Sequence, residues 1–518
     1  MRRKKVEGSE ERLVLRIALL ARLLLLTLIV LWRLLFLPYD TSASLNPSCL
    51  SAAAGDGLPK TGAVRWPRVG AAIEASVVWD GVYFVRIAEC GYEYEQTYAF
   101  LPLLPACIAL LSRSVFVPLV PIIGYRAVLA LSGYALSNLA FLLAAVLFYR
   151  LSVLVLKDTA AALRSSVLFC FNPASIFYSS IYSESLYALL SLGGIYFIFS
   201  DANTVAMLLL ALSGSARSNG ALNAGYFCFQ ALKLAYDAII HKKNHILAAQ
   251  AIVTGAIRSI FIFVPFIAFQ AYGYLNICLG GSSDELRPWC KQRVPNLYGF
   301  LQSHYWGVGF LRYFQVKQLP NFLLASPILS LAVCSIIHYS SLLHGTFQLP
   351  HVHEENDMVT TPKSVETSKS SEAICASMNN LSSRNAQGHH KIKQRKQERN
   401  KKDSESIQEL RPLVQVLQSK QRLDSILLLP FILHLAFMTF TSLFVMHVQV
   451  STRFLSASPP LYWFASHLLI STNTTSRRWG YLICVYFASY QWLLPYLDPT
   501  SDVARTPELM EHQSYLKQ

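Results

Sequence analysis

Five short polar motifs interrupt an otherwise apolar chain. They are Trp79-Asp80-Gly81, Ser183-Glu184-Ser185, Ser215-Ala216-Arg217-Ser218-Asn219-Gly220, His304-Tyr305-Trp306 and Ser451-Thr452-Arg453-Phe454. Asp80 could take a proton as a general base while Trp79 stacks on a sugar. On residue type alone, a solvated or capping aspartate beside an interfacial tryptophan is the simpler account. Glu184 could bind a polar substrate or pair with an arginine. Arg217 and Arg453 could hold a phosphate through paired hydrogen bonds, or snorkel toward lipid headgroups. His304 could touch a sugar, a phosphate or a proton in transfer, or serve only a structural aromatic patch. Asn172-Pro173 breaks a helical pattern, which either reshapes a cavity wall or merely kinks a helix.

The missing motifs narrow the chemistry further. The sequence has no Asp-x-Asp pair of the kind that holds a metal and a nucleotide-sugar, no G-x-x-x-x-G-K, no G-x-G-x-x-G and no H-E-x-x-H. His351 and His353 fall in a polar, charge-rich stretch and are not expected to bind metal.

The elements that must position these motifs are membrane helices. Of 518 residues, 53% are hydrophobic and 14% charged, against roughly a quarter charged in soluble domains. The mean hydropathy is +0.36. The apolar runs are Leu13–Leu37, Pro118–Tyr149, Ser165–Ile181, Leu186–Phe199, Thr204–Ser213, Ala221–Ile240, Leu247–Tyr272, Pro320–Leu343, Asp424–His447, Phe454–Ile470 and Trp479–Pro495. They predict about eleven crossings, with Thr204–Ser213 so short that it would be extended or re-entrant. The first run is too long and too Arg-interrupted for a cleaved signal and reads as an anchor. A Pro-rich apolar piece at Leu101–Leu111 reads as interfacial rather than spanning.

The net charge of +15 sits mostly in residues 2–5 and between Pro350 and Arg422. This is the bias of cytoplasmic segments, and no nucleic-acid motif accompanies it. The expected layout is a basic cytoplasmic terminus (1–12), a first membrane part (13–349) with luminal loops 38–117 and 273–317, a disordered basic loop (350–422), a second membrane part (423–497) and a tail (498–518). This orientation places all five motifs on the non-cytoplasmic face. The sequons at Asn380 and Asn473 fall on or near the cytoplasmic side and are expected to stay unused. Of the ten cysteines, Cys107, Cys170, Cys228 and Cys484 lie in apolar runs and read as inert core residues. Cys49 with Cys90, and Cys278 with Cys290, lie in polar segments where an oxidising lumen would permit disulfides. Spacing alone leaves both pairings open.

Taken in order, the motifs resemble the GPI mannosyltransferase II (PIG-V) family. The resemblance is carried by Asn172-Pro173-Ala174-Ser175-Ile176-Phe177-Tyr178-Ser179, Tyr182-Ser183-Glu184-Ser185, Ala216-Arg217-Ser218-Asn219-Gly220 and Tyr305-Trp306-Gly307-Val308-Gly309-Phe310-Leu311-Arg312-Tyr313. Gln449-Val450-Ser451-Thr452-Arg453-Phe454-Leu455-Ser456-Ala457-Ser458-Pro459, followed by Tyr462-Trp463, completes it. The resemblance runs from about Val77 to Trp492, with the loop 350–422 as an insertion.

The resemblance implies an all-α, GT-C-like membrane bundle in the endoplasmic reticulum, with luminal loops forming the site. It implies transfer of the second mannose, in α-1,6 linkage, from dolichyl-phosphate-mannose to a GPI precursor lipid on the luminal side. Asp80 is then the expected catalytic residue, with Trp79, Glu184, Arg217, Asn219, His304, Trp306 and Arg453 binding substrate. No metal and no cofactor beyond the lipid-linked donor is expected, no nucleic-acid partner is implied, and an accessory membrane subunit is compatible with the reading. The rival classes are a membrane transporter or lipid flippase and a non-catalytic subunit of a glycosylation complex. A transporter predicts charges spread through the depth of the spans.

Overall fold

The computed structural model describes residues 2–35, 49–50, 64–279, 287–348 and 426–493. The predicted disordered loop 350–422, with His351, His353 and Asn380, and the tail 498–518 lie outside the described residues. So does most of 38–63. The chain divides into Met1–Ser340 with Leu428–Gln518, and Ser341–Leu427. The second unit is described only at the end of one helix and at residues 426–427.

Every regular element among the described residues is helical, as a bilayer demands of a chain that must satisfy its own backbone. The chain is an all-α polytopic membrane protein. Helices α1 (Arg2–Leu35), α2 (Asp80–Cys90), α3 (Leu103–Arg113), α4 (Tyr125–Leu156), α5 (Thr159–Cys170) and α6 (Ser175–Ser179) form the first half. Then come α7 (Glu184–Phe199), α8 (Asn203–Ala216), α9 (Ala224–Ile240), α10 (His245–Cys278), α11 (Leu297–Tyr305) and α12 (Leu319–Gln348). The chain closes with α13 (Leu429–Phe444), α14 (Ser451–Leu455), α15 (Pro459–Ile470) and α16 (Thr474–Leu493).

Among the described residues, four helices are both long and apolar enough to span: Gly8–Trp32, Tyr125–Leu156, His245–Cys278 and Val316–Gly345. The pair Leu103–Arg113 and Val117–Ile123 makes a fifth only if counted across its 65° bend. Helices α5, α7, α8 and α13 are apolar but shorter. Helix length and composition therefore do not establish the expected eleven crossings.

Local chemistry sets the turns. Asp158 Oδ1 caps α5 by accepting from the Ala160 and Ala161 amides at 2.9 and 3.1 Å, immediately after Lys157 reverses the chain with φ +57°. Asn244 caps α10 through the Leu247 amide at 3.0 Å.

Helix α4 is the central strut and packs against α1, α3, α5 and α7. Small residues let neighbours close on it, as expected where lipid removes the hydrophobic drive for helix association. A Cβ on Gly133 would come within 2.9 Å of the Ile181 side chain, and one on Gly194 of α7 would collide with Leu210 of α8.

Several boundaries differ from the sequence reading. The run Ser165–Ile181 is not one crossing but α5, a break at Asn172-Pro173, and the single turn α6. The run read as Pro118–Tyr149 is broken at Gly124: a short helical piece ends at Ile123, and α4 runs from Tyr125 to Leu156. Thr204–Ser213 lies within the 14-residue α-helix α8 and is not extended. Cys170 is buried as expected, whereas Cys107 and Cys484 are only partly buried and Cys228 is exposed. Both pairings that the sequence leaves open are present, Cys49–Cys90 and Cys278–Cys290, with Cα separations of 5.4 and 5.8 Å.

Candidate active site

Helices α2 and α7 begin with acidic residues, Asp80 and Glu184, each in the first turn. That is where the positive end of the helix dipole favours a carboxylate. Each follows the N-cap position, held by Trp79 and Ser183, and neither of those side chains caps its helix. The aspartate is thus not a capping residue. Both carboxylates meet arginines contributed from far along the chain.

Arg453, on the short helix α14, donates from Nη2 to Asp80 Oδ2 at 3.0 Å and from Nε to Glu184 Oε1 at 2.8 Å. Arg217, between α8 and the 3-10 turn Ser218–Asn223, pairs through Nη1 with the same Glu184 oxygen. The result is a chain of alternating charge, Asp80–Arg453–Glu184–Arg217, whose formal charges cancel. Its members differ in access. Glu184 is 2% exposed, Arg217 and Arg453 are partly buried, and Asp80 is 34% exposed.

Aromatic rings fix the Arg453 guanidinium in place. It lies over Phe177 at 4.7 Å and over Tyr182 at 4.8 Å. Trp79 tilts against Phe177, with ring centroids 6.3 Å apart, and the Asp80 amide donates to the Tyr182 phenol at 3.4 Å. Burial opposes the Arg453 charge, but Glu184 and Asp80 outweigh it and raise the pKa above the ordinary value. Burial, then the Asp80 carboxylate, pushes both the Tyr182 and the Tyr83 phenols up, so both remain neutral donors beside Asp80. Trp79 itself has φ +55°, a conformation that bulky residues adopt only at a cost. The bend aims Asp80 at Arg453.

Two buried acceptors are left over. Glu184 Oε2 and Asn219 Oδ1 have no hydrogen-bond partner among the described residues, and Glu184 and Asn219 are 2% and 7% exposed. Buried oxygens in this state are poised for a donor such as a sugar hydroxyl or water.

A profile of the family described as Mannosyltransferase (PIG-V) matches residues 10–497. The chain belongs to the PIG-V mannosyltransferase family. Human GPI alpha-1,6-mannosyltransferase 2 is 28% identical over 413 residues, which is 76% of this chain and 72% of the human protein. GPI mannosyltransferase 2 of Aspergillus oryzae is 33% identical over 323 residues, 58% of this chain and 67% of that protein. GPI mannosyltransferase 2 of Drosophila melanogaster is 27% identical over 412 residues, 75% and 77% of the two chains. No solved structure matches.

In this PIG-V family member, Trp79, Asp80, Glu184, Arg217 and Arg453 converge, with Asn219 two residues from Arg217. Trp306 stands at one remove. Its ring meets Phe100 edge-on at 6.1 Å, and Phe100 stacks on Tyr83 at 4.7 Å. The Trp306 carbonyl accepts from His447 Nε2 at 2.6 Å, which ties this wall to the segment leading into α14. His304 is exposed and stacks on Phe300 of its own helix at 4.9 Å. That helix reaches the arginine motif through Tyr298, whose phenol hydrogen-bonds Ser218 at 2.8 Å.

Sequence reasoning did not single out Phe177, Tyr182 or Tyr83 as site residues. Tyr83 was available from helical spacing, three residues after Asp80 and so on the same face. The other two needed the fold. The only candidate metal cluster among the described residues is Cys49, Cys90 and Glu93, and its two sulfurs are joined to each other.

Proposed function

We propose that this membrane mannosyltransferase adds the second mannose of a GPI anchor, in α-1,6 linkage, from dolichyl-phosphate-mannose on the luminal side of the endoplasmic reticulum. The GPI specificity is supported by its relatives, which are GPI mannosyltransferases, and the GT-C-type arrangement by the family resemblance. The single observation that carries the mechanism is the Asp80–Arg453–Glu184–Arg217 chain.

A β-linked donor and an α-linked product call for a single displacement with inversion. The acceptor's 6-hydroxyl oxygen attacks C1 of the mannose on the face opposite the phosphate. The C1–O bond breaks, its electron pair leaves with dolichyl phosphate, and Asp80 takes the hydroxyl proton. The phosphate is already a good leaving group, so Arg453, with Arg217, can stabilise its charge without a metal.

The ion-pair chain also supplies an order of events. An arriving phosphate competes for the Arg453 donor that holds Asp80, while Glu184 keeps both arginines anchored. Donor binding then releases Asp80 to act as a base. The unpaired Glu184 Oε2 and Asn219 Oδ1 suit sugar hydroxyls, and Trp79 suits a sugar face. Both disulfides lie in the segments expected in the lumen, which supports an oxidising compartment on that side. An accessory membrane subunit remains compatible with this arrangement.

The test is transfer by membranes carrying this chain, supplied with synthetic dolichyl-phosphate-mannose and a one-mannose GPI lipid, with and without a chelator. Chelator-resistant formation of an α-1,6-linked two-mannose product is the expected result. Transfer that needs a nucleotide-sugar or an added divalent ion contradicts the proposal.

A further inference from the structure

Arg22 is out of place by ordinary membrane rules. It lies nine residues beyond Leu13 in α1, about 14 Å along the axis and so close to the middle of a hydrocarbon core about 30 Å thick. It is 2% exposed, and no carboxylate pairs with it among the described residues. Its two terminal nitrogens bond neutral oxygens instead, while the buried Nε has no hydrogen-bond partner among the described residues. Nη2 donates to the Cys170 carbonyl at 3.0 Å and Ser175 Oγ at 3.1 Å; Nη1 donates to the Ser175 carbonyl at 2.9 Å and Ser179 Oγ at 3.0 Å. Its plane covers the Phe141 ring of α4 at 3.9 Å.

These acceptors flank the Asn172-Pro173 break. A proline has no N–H to give, so the break frees carbonyls that lipid cannot satisfy. Asn172 Nδ2 takes the Phe169 carbonyl at 2.8 Å. The Cys170 carbonyl, at the negative end of α5, takes the cation. A lysine is a point donor and cannot serve both edges of the break as the planar fork does.

The segment held in this way reaches the candidate active site. Helix α6 carries Phe177, whose ring lies under Arg453. Its neighbour Tyr178 hydrogen-bonds Ser456 Oγ at 2.9 Å, and Ser456 Oγ donates to the Arg453 carbonyl at 2.6 Å. Physical contact is therefore continuous from Arg22 through α6 to both ends of Arg453, its guanidinium and its backbone.

We propose that Arg22 is a positioning residue for sugar transfer: by clamping both sides of the α5–α6 break, it sets where Phe177 and Tyr178 hold Arg453 against Asp80 and Glu184. The proposal rests on the reading of Arg453 as the group that holds the donor phosphate. A charge in mid-span would otherwise favour a transport pathway, but this one is buried against two backbone carbonyls and two serine hydroxyls.

Contiguity alone does not show coupling, so the test is a double-mutant cycle in the full-length chain. Transfer per folded molecule is measured for wild type, Arg22→Lys, Phe177→Leu and the double variant, with amide exchange followed across residues 175–183. The expected result is that Arg22→Lys folds, keeps its acceptor KM within about twofold and loses about tenfold in kcat. The double variant should fall little below the worse single variant, and exchange should quicken only in the 175–183 segment. If Arg22→Lys does not fold, Ser179→Ala, which removes one acceptor, takes its place in the cycle with the same expected coupling. Multiplicative losses, or an unchanged kcat in the folded variant, would overturn the proposal. If the wild-type chain transfers no mannose, the proposed function fails by itself and the exchange arm decides: protection of 175–183 unchanged in Arg22→Lys sinks the clamp.

Discussion

At the residue scale, the two carboxylates of the site carry different tasks, and exposure separates them. Glu184 is 2% exposed and, among the described residues, is the only anion bonded to both arginines. Glu184→Gln leaves two partly buried cations short of a counter-charge and is expected to destabilise the protein by about 3–5 kcal/mol, read as a lower unfolding temperature in detergent. Asp80 is a third exposed, so Asp80→Asn should cost only about 0–1 kcal/mol. The same change should slow transfer by about 10²–10⁴-fold, the worth of a general base. If both variants lose stability equally, the division of labour is wrong. Arg453→Lys keeps the charge but cannot reach Asp80 and Glu184 together, and is expected to lose about 10²-fold in turnover. These roles were only half legible in the sequence. Each residue type offered a bland alternative, and nothing in the local sequence reveals that positions 80, 184, 217 and 453 meet. The resemblance marked the residues, but the pairing of Glu184 with both arginines required the fold.

At the element scale, the site depends on irregular backbone. Trp79 holds φ +55° so that Asp80 opens α2 facing Arg453. Replacing the indole by glycine removes that strain, whereas alanine keeps it. Trp79→Gly is therefore expected to be more stable than Trp79→Ala by about 1 kcal/mol, the reverse of their usual order in helices, and both should transfer poorly because the ring is gone. The small-residue contact between α7 and α8 is similarly exacting. A side chain on Gly194 meets Leu210, so Gly194→Val should cost about 1–3 kcal/mol through overpacking, measured as thermal unfolding. Long apolar runs such as those in α10 and α12 were readable because hydropathy is continuous along them. The α5–α6 region was misread as one crossing because hydropathy averages over a break whose consequences depend on Arg22, a residue about 150 positions earlier. The extent of α8 was missed because a 14-residue helix falls short of the length by which a span is recognised.

At the scale of the whole molecule, four of the five polar motifs and the strained turn at Trp79 converge on one ion-pair chain, while the central bundle supplies apolar, small-residue packing. The Cys49–Cys90 bridge closes 41 residues of chain onto the C-terminal end of α2, and the Cys49→Ser, Cys90→Ser protein should lose about 2–4 kcal/mol. Sequence could name the cysteine pairs but not choose them, since spacing carries no Cα distance. Membership of the PIG-V family and the all-helical class were readable from the ordered motifs and the hydropathy, because both are encoded locally. The most direct measurement is mannose transfer in membranes that lack their own second GPI mannosyltransferase, with this chain or its Asp80→Asn variant at equal levels. The wild-type chain should extend the one-mannose precursor and the variant should not. Equal extension by both would contradict Asp80 as the base, and no extension by a correctly inserted wild-type chain would contradict the reaction itself.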